Sequence, residues 1–312
     1  MLRRIDLTAR RGLNSAQLRD ALPRAAGAAH AADEVVAPIL AEVKARGAAA
    51  VLDFAEKFDH VRPTSLRVPA DVIAAAEKSL DPTLRSALTE AIRRARLGHS
   101  AQLPIEKVTE IVPGGTVTQR WIPVGRVGLY VPGGLAPLSS SVVMNVVPAQ
   151  VAGVGEIAVA SPPQQSNGGW PDATVLAACS LLGVTEVYAA GGAQAIALLG
   201  FGSEYDAVLG EDAVMPVDVI TGPGNVYVTA AKRALRGIVG IDSEAGPTEI
   251  AVIADAGANP RYVAADLISQ AEHDPSAASL LITDSVVLAD AVDALLPDMV
   301  AATRHSDRVR QA

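Results

Sequence analysis

Between Ala32 and Arg46 the apolar residues Val35, Val36, Ile39, Leu40 and Val43 recur at helical spacing, and Val51, Leu52, Phe54 and Phe58 continue the pattern after Gly47. Pro63 and Pro69 interrupt it. Asp81-Pro82 then opens a further helix, with Leu84, Leu88, Ala91, Ile92 and Ala95 on one side and Gly98 expected just past its end. His30, His60 and His99 fall near turns or helix ends, where a surface or capping role is the simplest reading. The period then changes from helical to alternating. Glu110–Val112 and Thr116–Ile122 flank Pro113-Gly114-Gly115, which predicts a hairpin.

Beyond the hairpin, short apolar strands alternate with helices. Strands are expected at Val127–Val131, Glu156–Ala160, Glu186–Ala190, Val217–Thr221, Glu249–Ala254 and Ser279–Thr283. Helices are expected at Ser141–Ala152, Asp172–Leu182, Ala193–Leu199, Val226–Leu235 and Val286–Met299, with one more around Gln270. This alternation predicts an α/β protein with two doubly wound, Rossmann-like parallel-sheet lobes preceded by an N-terminal helical segment. The boundaries that follow are 1–124 for the helical segment and hairpin, 125–236 for the first lobe and 237–312 for the second. Gln164–Gly169 reads as a polar insertion.

Composition narrows the class. Half of the 312 residues are hydrophobic but only 3% are aromatic, so the core is built from Ala, Val, Leu and Ile, which suits covered parallel sheets. The formal net charge of -8 argues against a nucleic-acid partner, and Arg3-Arg4, Arg10-Arg11 and Arg93-Arg94 read as solvated helix faces. The single cysteine, Cys179, lies in an apolar helix and reads as a buried thiol in a reducing compartment. No apolar run is long enough to span a membrane and no signal segment is evident, which leads to the expectation of a soluble, cytoplasmic protein.

Candidate chemistry gathers at strand ends, where open α/β sheets bind ligands. Val127–Val131 runs into Pro132-Gly133-Gly134, and Tyr130 adds an aromatic face and a hydroxyl. The strand ending at Ala190 meets Gly191-Gly192, with Gln194 in the next first turn; Val217–Thr221 meets GPGN, where Asn225 can cap the following helix. Each glycine turn alone can be structural, but three at successive strand ends point to a ligand. The dinucleotide fingerprint G-x-G-x-x-G with a later acid is missing. Thr248 can bond a polar ligand or hold its own turn. Farther on, Asn259-Pro260 and Asp274-Pro275 mark the two ends of a helix with an apolar stripe of Val263, Leu267 and Ala271. Gln270 and His273 share a face near its C-terminal end. An amide oxygen and an imidazole can both bind zinc, although two ligands do not complete a tetrahedral site; a histidine meeting the last helical carbonyls has the same spacing.

GLYVPGG at Gly128–Gly134, GGAQAIA at Gly191–Ala197, GPGN at Gly222–Asn225, AGPTE at Ala245–Glu249 and SQAEHDP at Ser269–Pro275 occur in an order and spacing that resemble histidinol dehydrogenase. The resemblance implies a zinc-dependent oxidoreductase of histidine biosynthesis that oxidises L-histidinol through an aldehyde to L-histidine with two molecules of NAD. It places Tyr130, Gln194 and Asn225 at NAD-contacting positions and Thr248 at a substrate-contacting one. Gln270 and His273 match zinc ligands that also contact substrate. Family members continue beyond this point with a Glu-His acid/base pair, an Asp zinc ligand and further ligands, so no catalytic residue is assigned within this chain, and His305 is not promoted to a ligand. A truncated form is therefore expected. The family is homodimeric, with each site completed by the partner's C-terminal segment. The alternative is a non-catalytic protein of the same fold that binds a nucleotide or metabolite without zinc.

Overall fold

The computed structural model describes residues 3–8, 12, 14–21, 29–133, 138–244, 249–272 and 277–311. Five helices come first: α1 (Ser15–Ala21), α2 (Ala29–Arg46), α3 (Ala48–Asp59), α4 (Ala70–Lys78) and α5 (Pro82–Ser100). The hairpin strands β1 (Lys107–Val112) and β2 (Gly115–Gln119) follow. The alternating region comprises β3 (Arg126–Tyr130), α6 (Ser139–Val151), β4 (Glu156–Ser161), α7 (Ala173–Leu181), β5 (Glu186–Ala189), α8 (Gly192–Phe201), β6 (Val219–Thr221), α9 (Val226–Ala234) and β7 (Gly240–Ile241). Last come β8 (Glu249–Ile253), α10 (Pro260–Ala271), β9 (Ala278–Ile282), α11 (Val286–Ala301) and α12 (Ser306–Gln311). Contacts divide the chain into two compact units, Ala29–Gly246 and a second formed by Met1–Ala28 with Pro247–Ala312.

The larger unit is a parallel sheet of order β5-β4-β3-β6-β7. The chain builds outward from β3 to β5, then returns to add β6 and β7 on the other side, so the winding reverses between β3 and β6. Both faces are covered, which is why the strands are apolar at nearly every position. One face of the sheet presents Tyr130, Ala158, Ala160 and Tyr188 to α2, α3, α8 and α9; the other presents Val127, Leu129, Val159 and Val187 to α4–α7. Burying each Val, Leu or Ile contributes about 1.5–3 kcal/mol, and this layer packing outweighs local propensity. It also explains α7 and α8, in which no position is exposed and which have no polar face. At the amino end of the sheet Arg126 bonds Glu156 at 2.8 Å and pairs with Glu186, tying β3 to β4 beside it and to β5 beyond.

The smaller unit carries the parallel pair β8 and β9, with Glu249 opposite Ala278. Helices α10 and α11 pack through Val263, Ala264, Leu267, Leu288 and Val292. The expected caps of α10 form: Asn259 accepts from the Arg261 N–H at 2.9 Å and Pro260 takes the first position. Among the described residues no helix is long and apolar enough to cross a membrane.

Several local expectations need correction. Gly98 does not end its helix; α5 continues to Ser100, and the Ala101 N–H still reaches the Leu97 carbonyl. Helix α4 was not evident in the short run after Pro69; Ile73 and Ala76 hold it against the sheet layer. The fourth core strand starts at Val219 because the Val217 N–H bonds Leu199 O instead of a strand partner. The hairpin forms, but β1 is exposed throughout and no position of β2 is buried, despite the apolar alternation of Val108, Ile111, Val112 and Val117. Arg4 does not lie on a helix; it bonds Asp290 and Asp293 of α11, each at 2.6 Å. Arg10-Arg11 lies outside the described residues. Arg93 and Arg94 do lie on exposed α5 positions, both paired with Glu90.

Candidate functional site

The carboxyl ends of β3, β4, β5 and β6 carry the candidate residues of the larger unit. Tyr130 closes β3 and is buried, and its hydroxyl accepts the Gly192 N–H at 3.1 Å, which ties the end of β3 to the first turn of α8. Burial pushes its phenol up to about 12, so at neutral pH it remains an uncharged hydroxyl. Gln194, two residues on, is also buried and lies so close that a side chain added at Gly192 would stand 2.9 Å from its Oε1. Tyr130, Gly192 and Gln194 thus form one polar cluster at the start of a helix.

The loop between β6 and α9 meets the end of β3 from the other side. Gly222 adopts φ +120°, and a Cβ there would collide with the Tyr130 carbonyl, so the loop backbone rests directly on β3. Asn225 caps α9: its Oδ1 accepts from the Tyr227 and Val228 N–H groups, each at 3.1 Å. The cap uses the oxygen of the Asn225 amide, and the side chain as a whole is exposed. The three positions singled out in the larger unit are therefore gathered at the reversal of the sheet winding, where dinucleotide folds place their ligand.

Two residues that hold this loop were not picked out from the sequence. Lys232 is 2% exposed; its Nζ donates to the Gly222 carbonyl at 3.0 Å and pairs with Asp242. Asp242 in turn accepts the Gly222 N–H at 2.9 Å. The available signal was a lysine four residues after Val228, on the stripe of α9 that buries Val228 and Leu235.

A third is Asp59, the last residue of α3. Its Oδ2 is sealed from solvent and has no hydrogen-bond partner among the described residues. Burial pushes its carboxyl up to about 6, opposed by the nearby His60. Asp59 lines a cavity of about 740 Å³ with Phe58, His60 and the segment Pro163–Ser166. Ser161, at the end of β4, also has a fully buried hydroxyl without a partner among the described residues. Cys179 is buried in α7, and its thiol is pushed up to about 12, as suits a packing residue.

In the smaller unit Gln270 lies half-buried in the last turn of α10. Glu272 follows as the C-cap, and its carbonyl accepts from Arg308 at 3.0 Å, a contact that spans 36 residues of sequence. Thr248 and His273 lie outside the described residues. Gln270 and His273 would supply two zinc ligands where a tetrahedral site needs four. Among the described residues no three His, Cys, Asp or Glu side chains cluster.

A family model described as histidinol dehydrogenase matches residues 22–312. The chain is 59% identical to a histidinol dehydrogenase of Nocardia farcinica over all of its own length and 69% of that protein. It is 58% identical to one from Corynebacterium efficiens, with 96% of this chain and 65% of the relative covered. The chain therefore spans about two thirds of the length of these curated relatives. A crystal structure of histidinol dehydrogenase from Elizabethkingia anophelis superimposes with a TM-score of 0.82 at 34% identity, covering 89% of this chain and 62% of that one.

Proposed function

The chain belongs to the histidinol dehydrogenase family, and from that premise we propose that it forms the dinucleotide lobe and part of the zinc and substrate site of an enzyme that oxidises L-histidinol to L-histidine through the aldehyde. The observation that carries this reading is the meeting of Tyr130, Gln194 and the Gly222–Asn225 loop at the reversal of the sheet winding. Bound NAD would serve as hydride acceptor. The chain's own residues bind and orient. The N-terminus of α8, free of acidic residues in its first turn, favours an anionic pyrophosphate. The Asn225 amide nitrogen can donate to the ligand while its oxygen holds the helix, and the buried Tyr130 and Gln194 fix the crevice wall.

Gln270 and His273 are proposed as zinc ligands that also contact the substrate, with Thr248 as a further substrate contact. Zinc would supply a centre that fixes the substrate's nitrogen atoms and so its alcohol carbon. Two donors do not complete that centre, and none of the residues named is a base for the alcohol proton. L-histidinol as substrate, a homodimer as the working assembly and a cytoplasmic location belong to the same reading.

Asn225 offers the test. Asn225→Ala removes both cap and donor and is expected to cost about 1 kcal/mol of stability and to weaken NAD binding about tenfold. Asn225→Asp keeps the cap, removes the donor and adds a negative charge. It should melt no lower than the wild type yet bind NAD at least as weakly as the alanine variant, as read by calorimetric titration. Wild-type NAD affinity in Asn225→Asp would remove Asn225 from the ligand site.

A further inference from the structure

We infer that Asp59 recognises the adenosine ribose of the dinucleotide, accepting hydrogen bonds from its vicinal hydroxyls and excluding a cofactor that carries a 2′-phosphate. This rests on the dinucleotide reading above. In doubly wound dinucleotide folds an acid near the end of the second strand binds the ribose. Here the second strand outward from the winding reversal is β4, and it ends in Ser161-Pro162 with no acid. Asp59 arrives at that place from α3. A Cβ built on Gly191, at the end of β5, would lie 3.0 Å from the Pro162 side chain and 3.2 Å from Asp59 Oδ1. The carboxylate thus stands over the ends of β4 and β5, where the fold's usual acid would be.

Asp59 is only partly buried and lines the cavity, so its carboxylate can meet a ligand held there. Its Oδ2 is sealed from water, which leaves the ligand contact to Oδ1, the oxygen beside Gly191. One carboxylate oxygen can accept from both O–H groups of a vicinal diol. The cavity beside it, about 740 Å³, has room for a nucleoside. No lysine or arginine is among its described lining residues, so nothing there would neutralise a 2′-phosphate facing the carboxylate. The charged or titratable groups acting on Asp59 are His60 beside it and the neutral Tyr130 across the strand end.

The test is calorimetric titration of NAD and NADP into the wild-type chain, Asp59→Asn and Asp59→Ser. The wild type should prefer NAD. Both variants should bind NAD roughly tenfold more weakly and lose at least about tenfold of the preference over NADP. A fold control accompanies it. Burial raises the Asp59 carboxyl, so the folded chain carries an ionisation penalty that grows as pH rises from the unfolded value of 3.8 to about 6 and is constant above. Asp59→Asn escapes that penalty, so at pH 8 it should melt no lower than the wild type. If the wild type binds neither dinucleotide, the dinucleotide reading falls and this inference with it. If the wild type binds NAD but both variants keep its affinity and preference to within about twofold, this inference alone is overturned.

Discussion

Gly222→Ala is expected to destabilise the larger unit by about 3–5 kcal/mol and to abolish dinucleotide binding. Two effects add. The residue sits at φ +120°, where an L side chain is strained, and the new Cβ would fall on the backbone carbonyl of Tyr130. A flexible side chain could swing aside from such a clash, but a backbone carbonyl at the end of the central strand cannot. Relief would require the loop to lift from β3, breaking the Lys232 bond to Gly222 O and the Asp242 bond to Gly222 N. Gly168→Ala separates the two effects, because Gly168 also has positive φ, +63°, but nothing within 4 Å of the new atom. It should cost only about 1–2 kcal/mol. Urea denaturation of the two variants measures the difference. Equal, small losses would show that the loop does not rest on β3 as described.

Asp242→Ala should cost about 3–5 kcal/mol, because it strands the Lys232 ammonium in a site where that residue is 2% exposed. The Gly222 carbonyl alone cannot compensate a desolvated charge, and the Gly222 N–H loses its acceptor as well. The companion Lys232→Met removes the charge while keeping much of the volume. Added to Asp242→Ala, it should recover half or more of the lost stability. That recovery distinguishes an unpaired buried charge from a simple loss of packing, and an additive double variant would contradict the pairing.

Much of the architecture was legible because it is local. The apolar runs of β3, β4 and β5 and the proline and asparagine that open α10 each act within a few residues of themselves. So was the placement of Tyr130, Gln194 and Asn225, since a glycine turn after a strand puts the next side chains at the sheet's carboxyl edge. Other features depend on partners remote in sequence. Asp59 and Gly191 are far apart in the chain and meet only when α3 packs on the sheet. Helix α4 is too short to show a convincing period and is held by α7. Apolar alternation in the hairpin predicted its pairing correctly but not its exposure, because alternation says which residues share a face and not what covers it. The burial of Lys232 likewise depends on Asp242, which the fold brings beside it.

The central claim is that the dinucleotide lies at the carboxyl ends of β3, β5 and β6. Amide hydrogen exchange of the chain with and without saturating NAD tests it most directly. The prediction is slower exchange in three segments, Val131–Gly133, Gly191–Gln194 and Gly222–Val228, which come together only through the fold. Protection confined to residues outside these three segments, with their exchange unchanged at saturation, would contradict it.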